Sequence, residues 1–223
     1  MVAELKREGL GSIVHHPVTA ETDRTKLYTS VYLNPATPSG LFNKVHFDIR
    51  LYFFRRGCEN ISNRTKHTFV IKKNVKTGLR FVTKGLDELT KNPRESDKEN
   101  ISPIMPETPG SPYCPVRSFE KYISKLNPEL DRLWQRSLSS FTDDDDVWYA
   151  KVPVGAKTIA TFMSDLIKKC DLSKNYTNHS FRATGATMLS KGMYSPSQIM
   201  AVTGHKSVHC LIPCIRGLTR MKR

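Results

Sequence analysis

Residues 176–192 read YTNHSFRATGATMLSKG, and the fold turns on this stretch. A helix is expected to begin near His179, with Asn178 or Thr177 as its cap, because short polar side chains accept the first free N–H groups of a helix. His179 and Arg182 stand three residues apart, and positions i and i+3 share a helix face. One imidazole and one guanidinium therefore project together. The plainer reading is a surface cap followed by a basic residue. Downstream, SPSQIMAVTG at 195–204 predicts a shorter helix after Ser195, with Pro196 in its first turn. Gly204-His205 follows, where glycine permits a tight exit.

Upstream, the polar residues 1–25 read as an arm with a short helix beginning near Thr19. NPATPSG at 34–40 is a break. A strong helix is expected from about Leu41 to Arg55, since Leu41, Val45, Ile49, Tyr52 and Phe53 recur at helical spacing and Gly57 can end it. Thr68–Lys72 and Leu79–Thr83 flank a KTG turn and predict a hairpin. The Pro- and charge-rich residues 92–112 read as an exposed loop. Further helices are expected over about 115–126 and 155–170, with 127–154 irregular between them. Asp143 to Asp146 form an acidic run, more typical of a solvated loop than of a metal site. The last residues are basic and weakly periodic, and no internal repeat is found.

The chain has 223 residues, room for one large domain with an arm. Lys plus Arg number 35 against 21 Asp plus Glu, a formal charge of +14 that suits a polyanionic partner. A basic solvated surface is the alternative. Five cysteines at irregular spacing, no signal peptide and no spanning apolar run point to reduced thiols and a cytosolic or nuclear setting, with no membrane. The five N-x-[ST] sequons then carry no weight.

Arg56 and Glu59 follow the apolar helix and can form an ion pair, or Arg56 can hold an oxyanion. The order is informative: arginine and hairpin early, His-x-x-Arg late, then Gly-His. A phosphodiester under attack develops charge on its non-bridging oxygens, and converging Arg and His side chains would stabilise it.

This order resembles the tyrosine recombinase (phage-integrase) family, and the surrounding text resembles its crypton-type branch, with relatives at the C-termini of MYM-type zinc-finger proteins. The similar stretches are LFNKVHFDIRLYFFRRGCENI (41–61), LTKN (89–92), YCPVRSFEKYISKLNPELDRLWQRS (113–137), VWYAKVPVGAKTIATFMSDLIKKC (147–170) and YTNHSFRAT…TGHKSV (176–184 and 203–208). The resemblance implies an α+β, mostly helical catalytic fold with a small antiparallel sheet at one edge. It implies an arm or linker over 1–40, the catalytic domain over 41–208 and a degenerate or truncated tail over 209–223. It implies double-stranded DNA as partner, a homo-oligomer on DNA, nuclear localisation, and neither metal nor small-molecule cofactor.

By position, Arg56 and Arg182 would grip the scissile phosphate, with Glu59 supporting Arg56. Lys91 resembles the hairpin lysine that protonates the leaving 5′-oxygen, with Lys84 as fallback. His179 would act as acid or base, and His205 would hydrogen-bond the phosphate. The family places a tyrosine nine residues after that second histidine, and here the position is Cys214. No tyrosine follows Tyr194. A thiol can be a nucleophile, but a small apolar filler is the simpler reading of Cys214. The alternatives are an active recombinase using Cys214 or a tyrosine from another chain, and a protein-interaction module. Zinc on His205, His209, Cys210 and Cys214 competes with the phosphate role of His205, and Pro213 disturbs the local helix.

Overall fold

A computed structural model describes residues 17–53, 61–85, 103–177, 179–203, 205 and 207–215. The described residues form an α+β fold that is mostly helical, with small antiparallel sheets. The helices are α1 (Glu21–Tyr28), α2 (Pro38–Phe53), α3 (Pro115–Ser124), α4 (Ala156–Cys170), α5 (Ser180–Lys191), α6 (Pro196–Thr203) and α7 (Val208–Ile215). A 3-10 turn, Val31–Leu33, links α1 to α2. The strands are β1 (Phe69–Lys73), β2 (Arg80–Lys84), β3 (Met105–Pro106), β4 (Gln135–Ser137) and β5 (Tyr149–Pro153). None of the described helices is long and apolar enough to cross a membrane.

Helix α2 begins inside the Pro/Gly/Ser break, earlier than the expected Leu41. Thr37 precedes Pro38, and its hydroxyl accepts the Gly40 N–H at 3.1 Å. Proline in the first turn has no N–H to satisfy. Gly40 is required there, because a Cβ would lie 2.1 Å from the Asn34 carbonyl oxygen.

The expected hairpin forms one residue later along each strand, with Phe69 opposite Lys84 and Lys73 opposite Arg80. Its turn is set by Asn74, whose side-chain oxygen accepts the N–H groups of Lys76 and Thr77 at 2.9 and 3.2 Å. Gly78 adopts φ +72°, a conformation glycine takes without strain. Three strands lie outside the expected pattern. Met105–Pro106, inside the stretch read as a loop, pairs with β2 as an edge strand where proline is tolerated, and Met105 is fully buried. Within 127–154, read as irregular, β4 and β5 pair. Strand β4 lacks the alternation that marks strands. Its buried Gln135 instead ties down the preceding loop, accepting from Asn127 N–H at 2.7 Å and donating to the carbonyls of Asn127, Leu130 and Arg132. The acidic run is exposed, and Lys125 closes its loop by donating to the carbonyls of Asp143 and Asp145.

Helix α2 lies between two apolar clusters. Leu41, Val45, Ile49 and Phe53 join Phe119, Tyr122, Trp134 and Trp148 in one. Phe47 and Leu51 join Leu27, Phe162, Leu166 and Phe181 in the other. Its four central ionisable side chains are buried too. Lys44 pairs with Asp48 at 2.6 Å, and Tyr28 donates to the same carboxylate at 2.6 Å. Arg50 donates from Nε to His46 Nε2 at 2.6 Å and from its Nη2 to the Ile159 carbonyl at 3.1 Å. His46 is stacked between Phe162 and Trp134, with ring centroids 4.3 and 4.6 Å away. Because Nε2 accepts from Arg50, the neutral ring carries its proton on Nδ1.

Burial, then the Arg50 charge, hold His46 well below the ordinary imidazole range. Below about pH 6.5, the free-imidazole value, the unfolded chain binds a proton at residue 46 that the folded chain refuses, so stability falls as pH falls. Asp48 works in the opposite direction, since burial lifts its carboxyl despite Lys44 and Tyr28. Comparing His46→Gln with the parent isolates the imidazole. Between pH 7 and pH 5 the parent should lose on the order of 1–2 kcal/mol more than the variant in urea unfolding. Parallel losses would show that His46 does not set the acid limit.

Candidate functional site

The site grows from the N-terminal half of α5. Residues 180–187 of this helix are all buried. The polypeptide before and within α1 straps across them: the Thr19 N–H donates to Thr184 Oγ1 at 2.9 Å, and the Ala20 N–H donates to the Tyr176 hydroxyl at 3.2 Å. Asp23 accepts from Ser173 Oγ at 2.6 Å and Tyr176 Oη at 2.7 Å. Burial pushes the Asp23 carboxyl up, but the hydrogen bonds from Ser173 and Tyr176 outweigh it and leave it lowered.

The helix starts close to the expected His179, but the cap position falls on His179 itself rather than on Thr177 or Asn178, with no side-chain cap bond. Thr177 Oγ1 accepts the His179 N–H at 3.2 Å, and Ser180 Oγ accepts the Thr177 N–H at 3.1 Å. His179 occupies the cap position and is exposed. Arg182 lies in the first turn and is 8% exposed, so its guanidinium belongs to the interior edge of the site.

From α5 the polypeptide turns at Met193, which has φ +63°, and enters α6 through a reciprocal cap. The Ser195 N–H donates to Gln198 Oε1 at 2.9 Å, and the Gln198 N–H donates to Ser195 Oγ at 3.3 Å. Thr203 ends α6, and His205 follows two residues on. Helix α7, which continues past Pro213 to Ile215, returns Cys214 to His205, with Sγ 3.7 Å from Nε2. The Thr187 hydroxyl donates to the Cys214 carbonyl at 2.6 Å and joins α7 to α5.

His205 and Cys214, nine residues apart in sequence, thus meet, and the Arg182 charge acts on the thiol. Burial pushes the Cys214 thiol above its ordinary value, while the Arg182 charge pulls the other way. Thr203 fixes the imidazole. Its hydroxyl lies 2.6 Å from the Ile199 carbonyl, to which it donates, and 2.6 Å from His205 Nδ1. With its one proton already given, the hydroxyl accepts from His205 Nδ1–H. His205 Nε2 is then the acceptor and faces the thiol.

Arg56, Glu59 and Lys91 lie outside the described residues. Lys84 is half-buried at the end of β2, opposite Phe69. His209 and Cys210 are exposed, and no three His, Cys, Asp or Glu side chains among the described residues are grouped to hold a metal. Thr203 and Thr187 were not singled out from sequence. The only signal for Thr203 was its place before Gly204-His205.

No protein-family model and no curated protein matches the chain. Solved structures do. A XerA recombinase is 19% identical with a TM-score of 0.50, over 96% of this chain and 66% of that one. A lambda integrase (75–356) dimer bound to a COC′ core site is 14% identical with a TM-score of 0.53, over 96% of this chain and 68% of that one. The Tn1549 transposon integrase with circular intermediate DNA is 12% identical with a TM-score of 0.52, over 97% and 68%. A second lambda integrase structure is covered over 57% of its length, so this chain spans only about two thirds or less of the first of these proteins. At such identities the likeness concerns the fold, and the fold is that of the tyrosine recombinases.

The Thr187 bond should hold α7 in place. Thr187→Val keeps the shape and removes the donor, at a cost of about 1 kcal/mol. Amide hydrogen exchange in residues 208–215 should accelerate while α2 stays protected. Unchanged exchange in α7 would mean that packing alone seats the helix.

Proposed function

We propose that this chain is a double-stranded-DNA-binding domain descended from a site-specific tyrosine recombinase of the crypton type, with tyrosine-linked strand cleavage impaired. The observation that carries the reading is the contact of His205 with Cys214, on which the Arg182 charge acts. The residue nine places after the second histidine stands at that histidine, 3.7 Å from its Nε2, where the resemblance puts the nucleophile. A formal charge of +14 supports a polyanionic partner. DNA complexes among the similar structures support the same partner.

In this reading Arg182 holds a phosphate oxygen, and by resemblance Arg56, supported by Glu59, would hold it too. Arginine suits the task because its planar fork presents several donors to one anion. His205 in the tautomer fixed by Thr203 offers a lone pair from Nε2, so it donates to phosphate from that atom only when protonated. His179 is exposed at the start of α5, and by resemblance Lys91 would serve as the hairpin lysine. Assembly on DNA as a homo-oligomer and nuclear localisation belong to the proposal by resemblance.

Duplex binding should be measured by fluorescence anisotropy across salt. With about six phosphates contacted, affinity should fall on the order of a thousandfold between 50 and 200 mM salt. Arg182→Ala, checked for folding by circular dichroism, should weaken binding about tenfold. A nicked suicide duplex should leave no protein–DNA adduct on a denaturing gel. Salt-insensitive binding would remove the DNA reading, and a retained adduct would remove the impairment.

A further inference from the structure

We propose that Cys214 is a base-assisted nucleophilic thiol, a modification site for hydroperoxides, and that its oxidation sets an anion beside Arg182 and weakens phosphate binding there. The second half rests on the DNA-binding reading, and the first does not.

The geometry is that of a nucleophile, a base and a group that orients the base. Ile199 takes the Thr203 proton, Thr203 takes the His205 Nδ1 proton, and His205 Nε2 is left facing Cys214 Sγ at 3.7 Å. The thiol therefore donates to the imidazole. Among the described residues, the charged and titratable groups acting on this thiol are Arg182 from α5 and Cys210 one turn earlier on α7. Cys214 is half-buried and open to a small reagent, whereas Cys114 and Cys170 are buried. Cys210 is exposed. At rest the thiol keeps its proton, because burial outweighs the Arg182 charge. The base is then what makes it reactive.

The step balances with a hydroperoxide as oxidant. Cys214 Sγ attacks the terminal peroxide oxygen, an S–O bond forms and the O–O bond breaks. The thiol proton passes to His205 Nε2 and then to the departing alkoxide or hydroxide. Sulfur loses two electrons and the peroxide gains them, leaving sulfenic acid and an alcohol or water. A second equivalent gives sulfinate, a lasting anion. Formed where the Arg182 charge already acts on the sulfur, it competes electrostatically with a phosphate for that guanidinium.

The test uses the full chain carrying Cys210→Ser, with hydrogen peroxide as oxidant and dimedone as the sulfenic-acid trap, and labelling mapped by mass spectrometry. At pH 7, Cys214 should label about tenfold faster than Cys114 or Cys170. Labelling should fall as acid protonates His205. His205→Gln should lower the rate at pH 7 about tenfold, as should Thr203→Val, while Thr203→Ser restores it. The threonine pair keeps the test valid if His205→Gln fails to fold. Labelling indifferent to these changes, or absent, overturns the thiol proposal. Oxidised protein should bind duplex about tenfold more weakly, and Cys214→Ser should be insensitive to peroxide. Equal affinity before and after oxidation overturns the blocking step. If the reduced protein ignores DNA altogether, the DNA reading falls, and the labelling result stands alone.

Discussion

A helix with core on both sides cannot leave charge unmatched, and α2 carries Lys44, His46, Asp48 and Arg50 where no water reaches. Each is answered within the protein. Lys44 and Tyr28 meet Asp48, which fixes α1 against α2. Arg50 meets His46 and the Ile159 carbonyl, which fixes α4. Phe47 packs edge-on against Phe181, and the Arg50 guanidinium lies 6.0 Å from the same ring, which places α5. Buried ion pairs add little net stability, because desolvation offsets most of their attraction. Their value here is directional. A rotation of α2 would strand a charge in hydrocarbon, so the neighbouring helices have one way to pack.

Among the described residues, that placement reaches the site through α5. Helices α6 and α7 pack on α5 around a small separate cluster of Ala186, Ile199 and Leu211. Arg182 belongs to the main body, while His205 and Cys214 ride on the α6–α7 pair. The site is thus a seam. Its geometry depends on a modest apolar cluster and on the Thr187 bond to the Cys214 carbonyl. The strap formed by Thr19 and Ala20 secures the other side of α5.

Much of this was legible in the sequence, and the exceptions share a cause. Helix α3 shows Val116, Phe119 and Tyr122 at helical spacing and buries them. The hairpin shows its turn residues, and α6 shows Pro196 after Ser195. Strand β4 was missed because its key residue is a buried glutamine, and β3 because it has only two residues, one a proline. The charges of α2 look like a solvent face, since sequence gives no sign of a second apolar cluster across the helix. At the site, the order of Arg182, His205 and Cys214 was readable because each has distinctive chemistry. Thr203 and Thr187 were not, because threonine in a helix is ordinary until its hydrogen-bond partners are known.

In the proposed function, the thiol at 214 would leave a site that binds better than it cuts. A phenol carries its oxygen a full ring beyond the point where cysteine places sulfur. With α7 held by Thr187 and by Leu211 in its cluster, the backbone is not free to make up that distance. Sulfur therefore ends at the His205 imidazole, 3.7 Å from Nε2. The same shortness gives His205 a partner that can itself donate a proton, so the imidazole stays ordered without substrate. In the proposed function, losing the phenol removes the attacking atom and spares the groups that hold the phosphate.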